Sequence, residues 1–135
     1  MKVLGLDVGT KTIGIAMGNT DHKFTQPICT LARKSVKKDA VQIKIVADQH
    51  KVDQIVVGLP LELDGSEGRS AHLARQIADE IHKITQLPTV MWDERYSTVE
   101  AECRLREAGK NAVDIKKIID QVAAMIIIED WWKGV

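Results

Sequence analysis

The sequence predicts an α/β domain built on one mixed five-stranded sheet, its first three strands antiparallel and its last two parallel, with helices on both faces. Three observations predict it. Two stretches near the start alternate across a short turn. Later β-branched runs alternate with segments of helical spacing, and such strand–helix–strand crossovers impose parallel pairing. The last helical segment is apolar enough to be buried on more than one side.

Residues 2–8 (KVLGLDV) set Leu4, Leu6 and Val8 against Val3, Gly5 and Asp7, and residues 12–19 set Ile13, Ile15 and Met17 against Gly14, Ala16 and Gly18. Gly9-Thr10-Lys11 between them has tight-turn composition, so the two read as an antiparallel hairpin. A third strand over 24–31 contains Pro27, which suits an edge. Ser35 opens a helix in which Val36, Ala40, Ile43 and Ala47 recur on one face. Ile55-Val56-Val57 is a buried strand feeding a loop, and Asp64, Gly65, Ser66 and Gly68 make that loop the most flexible stretch of the chain. A helix over 69–85 and a strand over 89–92 follow. Ser97-Thr98-Val99-Glu100 matches a capping box for a helix that stops near Gly109. The last helix spans 114–132, with Ile115, Ile118, Ile119, Val122 and Ile126 as its core stripe.

The 135 residues are 44% apolar and 28% charged, as expected of one globular domain over 1–135. No apolar run approaches the ~20 residues of a membrane span, and the N-terminus lacks signal-peptide character, so the expected location is cytoplasmic. Cys29 and Cys103 stand far apart and read as free, packed thiols. The four histidines show no zinc-ligand spacing. Nineteen basic residues balance nineteen acidic ones. A neutral chain that binds nucleic acid must rely on local basic patches and on metal ions. Aromatic content of 4% argues against a base-stacking platform for single strands.

Three acidic positions stand out by their placement. Asp7 lies inside the first strand on the small-residue face, where a carboxylate is costly unless an ion or ligand neutralises it. The alternative there is an edge-strand acid paired with Lys11 or capping the turn. Asp93 and Glu94 follow a strand, and alternation lets only one of them join Asp7. Asp120 interrupts the apolar last helix beside Ala123, Ala124 and Ile127; taken alone, it reads as a solvent-facing acid held by Lys116 or Lys117. Together, three carboxylates from two strands and a helix would make a hard-oxygen site for Mg2+ or Mn2+. Two such ions can activate water and stabilise the leaving oxygen of a phosphodiester. Lys11, Arg69 and Arg95 adjoin these segments as candidate phosphate contacts, and Arg33, Lys34, Lys37 and Lys38 form a short basic cluster.

GLDVGTKTIGIA at 5–16, IVVGLPLELDGSEGRSA at 55–71, WDERYST at 92–98 and IIDQVAAMIIIEDWW at 118–132 resemble the YqgF/RuvX family, described as Holliday junction resolvases and as the nuclease that matures the 5′ end of pre-16S rRNA. The resemblance implies a ribonuclease H-like fold and a divalent-metal site of Asp7, Glu94 and Asp120, and it favours Glu94 over Asp93. It implies hydrolysis leaving a 3′-hydroxyl and a 5′-phosphate. Lys11 and Arg95 would hold the phosphate, with Arg69 and the loop around Gly65 on more distant backbone. The implied partners are pre-rRNA or branched DNA, with ribosome-assembly particles, for a monomer or a homodimer. Two other classes share part of this pattern. Asp7-Val8-Gly9-Thr10 also resembles the phosphate turn of the actin, Hsp70 and sugar-kinase group, but those proteins close two domains over a nucleotide. The other is a non-catalytic nucleic-acid-binding factor with the same fold, against which the intact acids argue.

Overall fold

β1 (Lys2–Val8) and β2 (Thr12–Asn19) form the expected hairpin, in a register that places Asp7 opposite Gly14. The computed structural model describes residues 1–93 and 97–134. After the hairpin come β3 (Phe24–Ala32), α1 (Val36–His50), β4 (Gln54–Leu59), α2 (Arg69–Thr85), β5 (Thr89–Asp93), α3 (Ser97–Glu107) and α4 (Ala112–Gly134). The sheet order is β3-β2-β1-β4-β5, with β1, β2 and β3 antiparallel and β1, β4 and β5 parallel. Pro27 does sit on the edge strand, next to a register shift at Ile15/Ala16.

The alternation in the first two strands sorts the two faces. Leu4, Leu6, Val8, Ile13 and Ile15 pack with Ile55 and Val57 against Ala40 and Ile43 of α1 and Ile77 and Ile81 of α2. On the opposite face Val3, Ala16 and Val56 meet Ala124, Ile127, Ile128 and Trp131 of α4. Each fully buried isoleucine or leucine contributes roughly 1.5–3 kcal/mol. α3 covers the outer side of α4 through Ala101, Ala123 and Ile126, and Arg104 ties the pair by bonding Glu129 at 2.7 Å.

The stripe expected on the last helix holds at Ile115 and Ile126, which are buried, and is corrected between them. Ile118, Ile119 and Val122 are only partly buried, while Ala123, Ala124, Ile126, Ile127, Ile128 and Trp131 are the buried residues of its second half. The reason is a close approach to the sheet. A Cβ at Gly5 would lie 2.8 Å from the carbonyl oxygen of Ala124, and one at Gly18 would lie 2.7 Å from Ile128 Cγ2. At Gly14 an added Cβ would overlap the backbone of Asp120 itself. The small-residue face of the hairpin is a bed for helix backbone, and alanine and isoleucine at successive turns fill it.

α1 begins as its sequence predicts, with the Ser35 hydroxyl accepting the amide of Lys38. Asp39 is a surprise: an acid 3% exposed. It accepts Arg33 Nε at 2.8 Å and the Lys34 amide at 3.0 Å, while Arg33 Nη1 reaches the Gly9 carbonyl at 2.9 Å. This one carboxylate thus ties the end of β3, the start of α1 and the β1–β2 turn together. The loop at 60–68, expected to be flexible, is also tied. Leu61 and Glu67 form a bridge, Asp64 accepts both the hydroxyl and amide of Ser66, and Glu67 takes Arg75 in a two-point ion pair. Those bonds hold the Asp64 and Glu67 carboxyls below the usual carboxylate range.

Two stability outcomes are expected. Asp39→Ala leaves Arg33 nearly buried without its partner and lowers unfolding free energy by about 3–5 kcal/mol, read from urea denaturation; a loss under about 1 kcal/mol would mean the pair does not hold these segments. Gly14→Ala overpacks the α4 interface and costs about 1–3 kcal/mol in the same assay, and an unchanged midpoint would contradict the close approach.

Candidate active site

β1, β3, β4 and β5 run in one direction, so their carboxyl ends share one edge of the sheet, where β2 begins. In open α/β sheets this edge is where ligands bind, because the loops and helix starts that follow the strands converge there. The chemistry-bearing residues picked out by sequence gather on it.

Asp7 is the last residue but one of β1, on the α4 face with Gly5, and is half-buried. Its cross-strand partner Gly14 touches the backbone of Asp120. Asp7 and Asp120 are therefore brought to one place, with only a glycine between their backbones. Asp120 lies one turn before Ala124, on the row of α4 that meets the sheet, and is half-buried. This overturns the reading of Asp120 as a solvent-facing acid. Its Oδ2 accepts a hydrogen bond from Thr12 Oγ1 at 2.6 Å. Thr12 shares the parity of Gly14 and Ala16, so it places a hydroxyl at the mouth of an otherwise small-residue face.

Asp93 ends β5 and is exposed. Its parity is that of Met91, which packs toward α1 and α2, whereas Val90 and Trp92 pack toward α4. Alternation therefore aims Asp93 away from the face of Asp7. Glu94 and Arg95 lie outside the described residues. Among the described residues no group of three His, Cys, Asp or Glu side chains is gathered closely enough to hold a metal ion.

Lys11 is exposed in the turn beyond Asp7, and Arg69 is exposed at the first residue of α2. α2 starts at Gly68 with no side-chain cap, so its first-turn amides face the same edge of the sheet. Cys29 and Cys103 are free; Cys103 is exposed rather than packed, and burial pushes the Cys29 thiol up, away from a reactive thiolate. No described helix is long and apolar enough to cross a membrane.

Thr12 and Asp39 were not singled out from the sequence. For Thr12 the signal was present: it is the one hydroxyl among Thr12, Gly14, Ala16 and Gly18, the alternating positions of β2 that face α4. For Asp39 there was none, since one acid among lysines reads as a solvated charge.

Comparison with known proteins fits this arrangement. Residues 1–134 match the family described as RuvX: Holliday junction resolvase. A relative from Myxococcus xanthus, named "Putative pre-16S rRNA nuclease", is 42% identical over 97% of this chain and 87% of its own length. One of the same name from Carboxydothermus hydrogenoformans is 41% identical over 97% of this chain and 95% of its own. Among solved structures, Thermus thermophilus RuvC in complex with Holliday junction substrate superposes with a TM-score of 0.65 at 13% identity, covering 100% of this chain and 97% of that one. That likeness shows the ribonuclease H-like fold. With a family match along almost its whole length and close relatives named as nucleases, this chain belongs to the RuvX family.

Proposed function

We propose that this chain is a metal-dependent endonuclease, one nuclease domain over 1–135, that hydrolyses phosphodiester bonds in structured RNA, most specifically at the 5′ end of pre-16S rRNA during ribosome assembly in the cytoplasm. The observation that carries the reading is the seating of Asp120 on Gly14, the register partner of Asp7. An apolar helix has no structural need for an acid at that point, and a half-buried carboxylate beside another is unfavourable unless a cation joins them.

The donors fit Mg2+ or Mn2+, two ions in this reading: carboxylate oxygens of Asp7 and Asp120, with Glu94 as the third acid and no soft ligand among them. Bound there, the ions would activate water and stabilise the oxygen that leaves phosphorus. The parity of Asp93 supports Glu94 as the acid of that segment. The Thr12 hydroxyl fixes one oxygen of Asp120 and so orients the other. Lys11 and Arg95 would hold the phosphate under attack, and Arg69 with the first-turn amides of α2 would hold a neighbouring one. Hydrolysis would leave a 3′-hydroxyl and a 5′-phosphate.

The names of the curated relatives favour the RNA substrate. The family's description favours a second reading, cleavage of four-way DNA junctions in recombination, for which two symmetric cuts would need a homodimer. A labelled pre-16S rRNA 5′ leader and a four-way DNA junction, each incubated with Mg2+ or Mn2+, separate the two. Wild type is expected to cut the RNA, and Asp7→Asn and Asp120→Asn to lower cleavage by about 100-fold or more while keeping the circular-dichroism spectrum. Cleavage of the junction alone would move the reading to DNA. Binding of either probe with no cleavage would replace the enzyme with a binding factor. Thr12→Val is expected to cost about 10-fold in rate and to raise the metal concentration needed; an unchanged metal titration would remove Thr12 from the site.

A further inference from the structure

Some cations of this neutral chain are matched locally. Arg33, Lys44, Arg75, Arg104 and Arg106 each sit in an ion pair. Of the described cations outside these pairs, three lie together at the start of α1 and line one groove. Lys34, Lys37 and Lys38 are all exposed, and none has an ion-pair partner among the described residues. The one acid of their own segment, Asp39, is buried and already bonded to Arg33 and the Lys34 amide. Folding therefore withdraws the local negative charge and leaves three positive charges at the surface.

Their placement is fixed. Thr12, the residue bonded to Asp120, pairs across the sheet with Ala32, and Lys34 follows two positions later. The Arg33 amide donates to the Lys11 carbonyl at 2.9 Å and the Arg33 guanidinium holds the Gly9 carbonyl, so the lysine segment is locked to the turn that carries Lys11. Lys34, Lys37 and Lys38 line a groove of about 300 Å3 with Val41 and Gln42. Val41 is 50% exposed, an apolar surface that a sugar ring can cover while the lysines reach the phosphates on either side of it.

We infer that this groove is a second nucleic-acid contact, binding the phosphate backbone of a duplex arm that extends from the cleavage site past Lys11 and along the first turns of α1. The inference rests on the nuclease reading and adds to it where the substrate runs. An unpaired lysine strip is tolerated at the surface without a ligand; its alignment with the catalytic edge and its rigid tether to the Lys11 turn point to a polyanion shared with that edge. Recognition is of backbone charge, so it distinguishes duplex length and geometry rather than base sequence.

The test compares three proteins: wild type, the triple variant Lys34→Gln, Lys37→Gln, Lys38→Gln, and a charge-matched control Lys44→Gln, Lys83→Gln, Lys133→Gln. Each is titrated with a labelled pre-16S rRNA leader hairpin and with a DNA duplex of equal length across a range of salt. Three lost phosphate contacts reduce the slope of log affinity against log salt by about 2.7 for a duplex. Between about 50 and 200 mM salt, wild type then loses roughly 40-fold more affinity than the strip variant, and the control follows wild type. Equal slopes for wild type and the strip variant, with wild type still binding and cutting, overturn the strip and leave the nuclease standing. Equal loss in both variants also overturns it, since only total charge would matter. Absence of binding by wild type to either probe overturns both readings.

Discussion

Gly14 and Asp120 meet through backbone atoms, and that contact sets how close α4 stands to the sheet. Nothing larger than hydrogen fits at the glycine, so the helix settles until its own carbonyls touch the strand. Every other feature of that face follows from the spacing. Alanine at 124 and isoleucine at 127 and 128 fill the shallow gap, and Trp131 continues the same cluster against Val3, Ala16 and Val56. α3, which touches the sheet little, is positioned through α4 by Ala101, Ala123 and the Arg104–Glu129 pair. The acid at 120 is carried to the point where β1 presents Asp7 opposite Gly14.

The turn at this same end of the hairpin is held by a different kind of force. Asp39 and Arg33 are both largely removed from water, which is costly for each alone, and their bond geometry recovers that cost only because backbone groups join in. The Gly9 carbonyl and the Lys34 amide are those groups. A turn that would otherwise sway at the edge of the sheet is thereby held between β3 and α1. Packing and the Thr12 hydroxyl thus place Asp120, while the Arg33–Asp39 bonds hold the segment that carries Lys34, Lys37 and Lys38.

Much of this was legible in the sequence. Alternation in residues 2–8 and 12–19 gave the hairpin and the two faces, since a period of two leaves no other assignment. The end of α3 at Gly109, which takes a positive φ, followed from its breaker glycine. The wheel of α4 was legible only in part: Ile115 and Ile126 are buried as the isoleucine stripe implies, but glycines on the sheet let alanine and aspartate face it too. That is a property of two surfaces together, and a helical pattern contains only one. Asp7 was recognisable because a strand reveals its own faces; Asp120, which interrupts an apolar helix, drew its weight only from the other acids and the family resemblance, because its orientation depends on Gly14. The tie between Arg33 and Asp39 was invisible for the same reason, and so was the order in the 60–68 loop, which rests on an arginine eight positions away from its partner.

Thr12 and Asp120 are bonded across 108 positions of chain. The hairpin closes with local contacts, whereas the acidic pair exists only once the last helix has docked on it, and long-range contacts of this kind form late. A chain emerging from the ribosome would fold its sheet and α1 and α2 while still lacking its centre. On the nuclease reading proposed above, competence to cut belongs to the completed molecule, and partial chains or transiently frayed ones, in which α4 has lifted from the glycine bed, would keep the lysine strip while lacking the acidic pair.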